Sequence, residues 1–164
     1  GNNVKVQNNV AIYGGVKVED DVFLGPCCVL TNVTNPRSQV SRKSLYEKTF
    51  IKRGATIGAN STLVCGITIG RYCFVGAGAV VTKDIVDYGL VLGNPGKLSG
   101  YMSRHGHKLK FDNGGRATCL ESNFSYEIVD GQVRCLDLDE EKALPDDLSI
   151  GSKAYDSFRI SETD

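Results

Sequence analysis

A spacing of six residues constrains this chain more than any other feature. Val6, Ile12, Val18, Leu24 and Leu30 recur at that interval, and so do Ile51, Ile57, Leu63, Ile69, Val75 and Val81. Two residues before each stands a second series, Val4, Val10, Val16, Val22 and Cys28, then Thr49, Ala55, Ser61, Ile67, Cys73 and Ala79. Residues i and i+2 of an extended segment share one face, so each unit is a short strand with two inward side chains. Between the units lie turn formers such as Asn8-Asn9, Gly14-Gly15, Asp20-Asp21, Gly25-Pro26, Gly58, Gly70 and Gly76. A strand and a corner repeated without change make a coil, and three units close a triangular one. A β-sandwich would instead space its strand signals by about 8–12 residues. The expected fold class is therefore all-β, a parallel β-helix of hexapeptide repeats over residues 1–98.

The two series are out of phase. Leu30 and Ile51 are separated by more than one full coil, so the segment TNVTNPRSQVSRKSLYEKTF (31–50) must leave the coil and return as a protruding loop. It carries Arg37, Arg42, Lys43 and Lys48 against Glu47 alone. Excursions from a solenoid are where function is commonly placed. Beyond Val81 the expected elements are a turn at Asp84–Tyr88, a strand at Gly89–Leu92 and a capping helix over 99–111, with Leu98, Met102 and Leu109 inward. A hairpin extension over 112–136 follows, turning at Asp130-Gly131, a strong hairpin signal. Residues 137–164 form an acidic tail, expected to be weakly ordered or draped over the surface.

Charge separates the same two parts. Overall Lys+Arg equals Asp+Glu at 19 each. Residues 1–136 carry 16 basic and 10 acidic side chains, a net of +6, and residues 137–164 a net of −6. A basic body suits an anionic small ligand. Nucleic acid is disfavoured, because no interleaving of aromatic and basic residues is found. No apolar run is long enough for a membrane helix and no signal peptide is visible, so a cytoplasmic protein is expected. The chain opens in mid-repeat at Gly1, so the expectation is either an upstream segment or something else that covers that coil edge.

Familiar catalytic constellations are scarce. The six cysteines contain no CxxC, which disfavours structural zinc and thioredoxin-like chemistry. Cys28 and Cys73 fall in inward slots and read as core filler. His105 and His107 are the only histidines, fewer than the three a β-helix carbonic anhydrase would need, and they read as solvent-exposed residues of the capping helix. No metal is expected. Gly76-Ala77-Gly78 lacks the third glycine of a dinucleotide loop, since position 81 is valine. Lys83, Lys97, Arg104, Lys108 and Lys110 gather late in the chain and suit a multiply phosphorylated ligand.

GNNVKVQNNV (1–10), EDDVFLGPCCVLTNVTNPRS (19–38), KRGATIGANSTLVCGITIGRYCFVGAGAVVTKD (52–84) and GNPGK (93–97) resemble the left-handed β-helix acyltransferases. Within that family they resemble the bacterial nucleotide-sugar N-acetyltransferases that act on 3-amino sugars. The resemblance spans roughly residues 1–111. It implies a left-handed coil, acetyl-CoA as cosubstrate, and a homotrimer with active sites between subunits. The implied acceptor is a UDP-linked 3-amino uronic sugar of O-antigen synthesis. The alternatives are a dTDP-3-amino-3,6-dideoxyhexose, and a non-catalytic β-helix binding module. Carried over by residue, Asn32 is the implied catalytic residue contacting the amino sugar. Asn35 and Arg37 are its neighbours in substrate binding, with Arg37 on a carboxylate or phosphate. Gly76, Ala77 and Gly78 match the stretch beside the pantetheine arm. Asn94, Pro95 and Lys97 match the turn beside the CoA nucleotide, with Lys83 assisting on phosphates.

Overall fold

The computed structural model describes residues 1–151 and 153–158. Ten short strands build the coil: β1 Lys5–Val6, β2 Val16–Val18, β3 Phe23–Leu24, β4 Val29–Leu30, β5 Thr49–Ile51, β6 Thr56–Ile57, β7 Thr62–Leu63, β8 Thr68–Ile69, β9 Phe74–Val75 and β10 Val80–Val81. They stack in parallel as three faces. Sheet A holds β1-β3-β6-β9, sheet B β4-β7-β10 and sheet C β2-β5-β8. Register follows the six-residue slots: Leu24 pairs with Ile57 and Ile57 with Val75 on sheet A, and Leu30 pairs with Leu63 on sheet B. The second residue of each pair points in. Leu24, Ile51, Ile57, Ile69 and Val75 are wholly buried, each worth about 1.5–3 kcal/mol. Cys28 and Cys73 fill inward slots, as the repeat implies.

The corners explain the turn residues. At the corner between sheets C and A, positive φ falls on Asn3, Asp21, Gly54, Tyr72 and Tyr88 in successive coils. Asn, Asp and Gly tolerate that conformation at little cost, but tyrosine does not. Tyr72 and Tyr88 stack on each other with ring centroids 5.3 Å apart, and Tyr126 meets Tyr88 edge-on at 5.6 Å. These rings, with Leu109, Ala117, Cys119 and Val133, form a second core outside the coil. Burial of the large rings offsets the backbone cost. It also pushes the Tyr72 phenol up to about 12.

The capping helix expected over 99–111 is not formed. After β11, Gly89–Leu92, the chain turns through a cis Asn94–Pro95 bond and runs back antiparallel as β12, Lys97–Met102, followed by β13, Lys108–Leu109. Sheet A thus continues β9-β11-β12-β13. Two causes are local and general. Gly100 and Gly106 lie inside the segment, each costing a helix interior about 1 kcal/mol. The edge of β11 also offers a row of backbone groups that a strand satisfies and a helix would leave open. The hairpin is present, with β15 at Ser125–Val129 and β16 at Gln132–Cys135. Asp130 and Gly131 both take positive φ, as a two-residue hairpin turn requires. A third strand, β14 at Arg116–Thr118, joins it on the other side of β15.

The described part of the acidic tail is draped and pinned along the corner between sheets C and A. Glu141 meets Arg71 at 2.5 Å and Arg53 at 3.7 Å. The Tyr72 hydroxyl donates to the Glu140 carbonyl at 2.5 Å. Arg104 lies over the Tyr72 ring at 4.4 Å and donates to the carbonyls of Asp139 and Lys142. Residues 152 and 159–164 of the tail lie outside the described residues. Among the described residues the only helical turns are two short 3-10 segments, Asp146–Leu148 and Tyr155–Phe158.

Arg53 ties this corner vertically, meeting Asp20 and Asp21 of the preceding coil at 2.6 Å each. Asp20 also accepts the Asn2 backbone N–H at 2.6 Å. That bond first, and Arg53 with it, hold the Asp20 carboxyl below its ordinary value of 3.8. A group with a depressed folded pKa stabilises fully above its unfolded value and loses that contribution as pH falls through the folded one. The Tm of the wild-type chain is therefore expected to drop more steeply than that of Asp20→Asn on acidification below about pH 4. Parallel melting curves across the acid range check this, and superimposable profiles would remove Asp20 from the account.

Candidate functional site

The loop leaves and rejoins the coil at the corner between sheets B and C, and its neck is closed by hydrogen bonds. Thr31 N–H donates to Leu63 O at 3.1 Å, and the Thr31 hydroxyl accepts Cys65 N–H at 2.9 Å. Across the neck, Glu47 N–H donates to Asn32 O at 2.9 Å. Thr34 donates to Glu47 Oε1 twice, through its N–H at 3.1 Å and its hydroxyl at 2.5 Å. These bonds, the hydroxyl's above all, hold the Glu47 carboxyl below the usual carboxylate range. Asn32 is half-buried in the neck, whereas Asn35 and Arg37 are exposed further out. Arg42 Nε donates to Asn35 O at 2.9 Å, and Val40 N–H to Arg37 O at 3.0 Å. Beyond the neck the loop is thus held by backbone acceptors, and the Arg37 guanidinium has no carboxylate partner among the described residues.

Gly76–Gly78 and Asn94–Pro95 come together at a different corner, between sheets A and B. Gly76 N–H donates to Val91 O at 2.8 Å, Val80 N–H to Gly93 O at 3.0 Å, and Gly96 N–H to Val80 O at 2.7 Å. The cis-proline turn therefore stacks directly on the glycine corner. Ala77 and Gly78 are exposed, and a Cβ on Gly78 would meet no atom within 4 Å. The result is a short open strip of small residues at Ala77–Gly78, while Gly76 is buried under Leu92, whose Cδ2 would stand 2.4 Å from a Cβ there. Lys97 starts β12 beside it and is exposed. Lys83 is exposed too, but it follows β10 at the corner between sheets B and C, in the column of the loop neck.

The expected site residues thus form two groups at opposite ends of sheet B. Asn32, Asn35 and Arg37 lie at one end of β4, and Gly76, Ala77, Gly78, Asn94, Pro95 and Lys97 lie at the other end of the same face, two coils on. One chain does not bring Asn32 to the glycine strip. The expected cluster of five late cations is also divided, because Arg104 is taken up by Tyr72 and the tail. The histidines differ from expectation as well. Neither stands on a helix or in open solvent: His107 is buried and meets Glu121 Oε2 at 2.7 Å through Nε2, and His105 Nε2 lies 2.9 Å from Leu148 O. Both belong to the second core's surroundings, so the coil itself presents no imidazole. A cleft of about 500 Å³ beside the tail is lined by Lys52, Arg71, Asp87, Arg134, Glu140 and Glu141. Its charges answer one another, and none of the expected site residues reaches it. The Thr34–Glu47 bracket was not singled out from the sequence. Its one signal there was a lone carboxylate in a loop of four cations.

Comparison with known proteins bears on the repeat coil. The signature of bacterial transferase hexapeptides (six repeats) matches residues 1–32 and 48–83, omitting the loop. A curated relative, dTDP-3-amino-3,6-dideoxy-alpha-D-galactopyranose 3-N-acetyltransferase of Aneurinibacillus thermoaerophilus, is 49% identical over 89 residues, 54% of this chain and 45% of its own length. The bifunctional protein GlmU of Thermotoga maritima is 35% identical over 96 residues, 57% of this chain and 21% of its own. The chain therefore spans less than half the length of these curated relatives. Among solved structures, a maltose O-acetyltransferase from Clostridium difficile 630 superposes with a TM-score of 0.54 at 28% identity, covering 62% of this chain and 57% of that one. The six-residue slots, the stacked parallel faces and these likenesses converge on one architecture: the coil is a parallel β-helix of hexapeptide repeats, and over that part the chain resembles acetyltransferases.

Proposed function

We propose that the chain is an acetyl-CoA-dependent N-acetyltransferase acting on the 3-amino group of a nucleotide-linked amino sugar. A dTDP-3-amino-3,6-dideoxyhexose is favoured as acceptor over the UDP-linked uronic sugar expected from the sequence. The relative at 49% identity acts on such a dTDP-sugar by name, and that sugar has no carboxylate. Arg37 is then read as a partner of the acceptor's phosphates. One observation carries the reading: sheet B presents a polar loop neck at one end and a short open strip of small residues, Ala77 and Gly78, with exposed Lys97 beside it at the other. The strip suits an extended pantetheine arm and Lys97 its phosphates, whereas Lys83, in the column of the loop neck, stands on the acceptor side. Because the two ends do not meet in one chain, the reading puts the site between subunits, those of the homotrimer that the resemblance implies. A cytoplasmic location accords with both anionic substrates.

The chemistry asks little of the protein. The neutral amine forms the new C–N bond, the C–S bond breaks, and the leaving thiolate takes the proton the amine gives up. Asn32 would hold the amino sugar, Arg37 and the lysines would fix both phosphorylated ends, and orientation of this kind can supply up to about 7–11 kcal/mol. A coil without histidine is compatible with that division of labour. The test is to incubate the purified chain with acetyl-CoA and each amino sugar nucleotide and to read the products by mass spectrometry. Acetylation of the dTDP-sugar in preference to the UDP-uronate is the expected result. Acetylation of neither, with no thermal shift on adding acetyl-CoA, would overturn the proposal.

A further inference from the structure

We infer that Glu47 is a positioning residue that clasps the loop neck and so sets the place of Asn32. The inference rests on reading the loop as the acceptor side of the site. Glu47 reaches both strands of the neck at once. Its backbone N–H holds the carbonyl of Asn32 itself, and its carboxylate holds the N–H and hydroxyl of Thr34, two residues on. The Thr34 hydroxyl in turn lies 3.6 Å from the Sγ of buried Cys65 in the coil below. The neck is thereby tied to the solenoid as well as across itself.

Two glycines make room for this residue and for nothing larger at their own positions. A Cβ on Gly15 would stand 2.7 Å from the Glu47 carbonyl oxygen, and one on Gly66 would stand 2.7 Å from Glu47 Oε2. Both glycines also take positive φ, +98° and +84°. They belong to the same corner column, one coil to each side of the neck. Glu47 is thus seated from above and below as well as bonded across. Its own chemistry argues against a role as general base. Oε1 already accepts two hydrogen bonds, and the carboxyl is held below the usual range, so it is a poor proton acceptor for an amine. What it controls is geometry, and misplacement of a reacting group by about 1 Å can cost on the order of a hundredfold in rate.

The experiment compares Glu47→Ala, Glu47→Gln and Thr34→Val, alone and with Asn32→Ala. Glu47→Ala is expected to lower kcat about tenfold and leave the KM for acetyl-CoA unchanged. Glutamine keeps an oxygen that accepts both Thr34 bonds, so Glu47→Gln recovers most of the loss. With Asn32 already removed, Glu47→Ala changes kcat little, because the residue it positions is gone. Amide exchange of residues 32–34 is expected to quicken in Glu47→Ala. Thr34→Val, which loses only the hydroxyl arm, gives a smaller effect in the same direction should Glu47→Ala fold poorly. Equal losses in both Asn32 backgrounds, or unaltered exchange at 32–34, would overturn the clasp. If the wild-type chain acetylates no amino sugar, the functional reading falls, while the exchange comparison still decides whether Glu47 holds the neck.

Discussion

Gly58→Ala is expected to lose about 3 kcal/mol of stability or more, at the upper end of overpacking costs. Gly58 has no unusual φ; the constraint is close approach. A Cβ there would stand 2.5 Å from the N of Ala77, 2.6 Å from the O of Val75 and 2.7 Å from the C of Gly76. All three are backbone atoms of the next coil, so no rotamer change relieves the contact. That backbone is also locked in place, with Gly58 N–H on Val75 O at 2.8 Å and Gly78 N–H on Ala59 O at 2.8 Å. Accommodation means opening the coil spacing from its usual value of about 4.8 Å, which breaks those bonds and parts Ile57 from Val75. Gly78→Ala is the control. Its Cβ meets nothing, and only the φ of +71° resists, at a cost of about 1–2 kcal/mol. Denaturant unfolding of the two variants should rank Gly58→Ala well below Gly78→Ala; the reverse order would refute close approach as the reason for the glycine.

Asn32→Ala and Ala77→Tyr are each expected to lower acetyl transfer by an order of magnitude or more, and co-production of the two to restore part of it. The first removes the amide proposed to hold the amino sugar. The second fills the open strip from an exposed position that has no positive φ to strain. If each site joins the loop of one subunit to the strip of its neighbour, about one site in three of every mixed trimer has both halves intact, and about a quarter of all sites in a random equal mixture. If a single chain held the whole site, every site would carry one lesion and nothing would return. Activity of the purified mixture, with tags that separate mixed from uniform assemblies, distinguishes the two. Recovery absent from verified mixed trimers would overturn the between-subunit site.

The two corner columns also show why part of the candidate site was legible in advance. Gly76–Gly78 and Asn94–Pro95 sit at fixed places in the repeat, so their stacking follows from counting coils. The departure of the loop after Leu30 is legible for the same reason, as a break in phase. The Glu47 bracket is not, because it depends on where the returning strand seats against Gly15 and Gly66. Arg104 is a similar case. Sequence proximity groups it with Lys97 and Lys108, but Tyr72 and the carbonyls of Asp139 and Lys142 draw it to another corner.

The tail resolves the charge asymmetry in the same manner. Its opposite sign is read directly from the residues, but its seat on Arg53 and Arg71 is not. Those arginines already face Asp20, Asp21 and Asp87, so only the fold shows that Glu141 completes the group.

By itself the sequence determined the coil: a period of six decides which side chains face inward, and each decision is made within a few residues. The tertiary structure alone decided the rest of the architecture. Lys97–Met102 became a strand because the edge of β11 needed a partner, Lys108–Leu109 extends the sheet from it, and Tyr72 and Tyr88 hold left-handed corners because β14–β16 bury their rings. Both outcomes depend on backbone edges and covering surfaces supplied from far along the chain, and no local pattern encodes those.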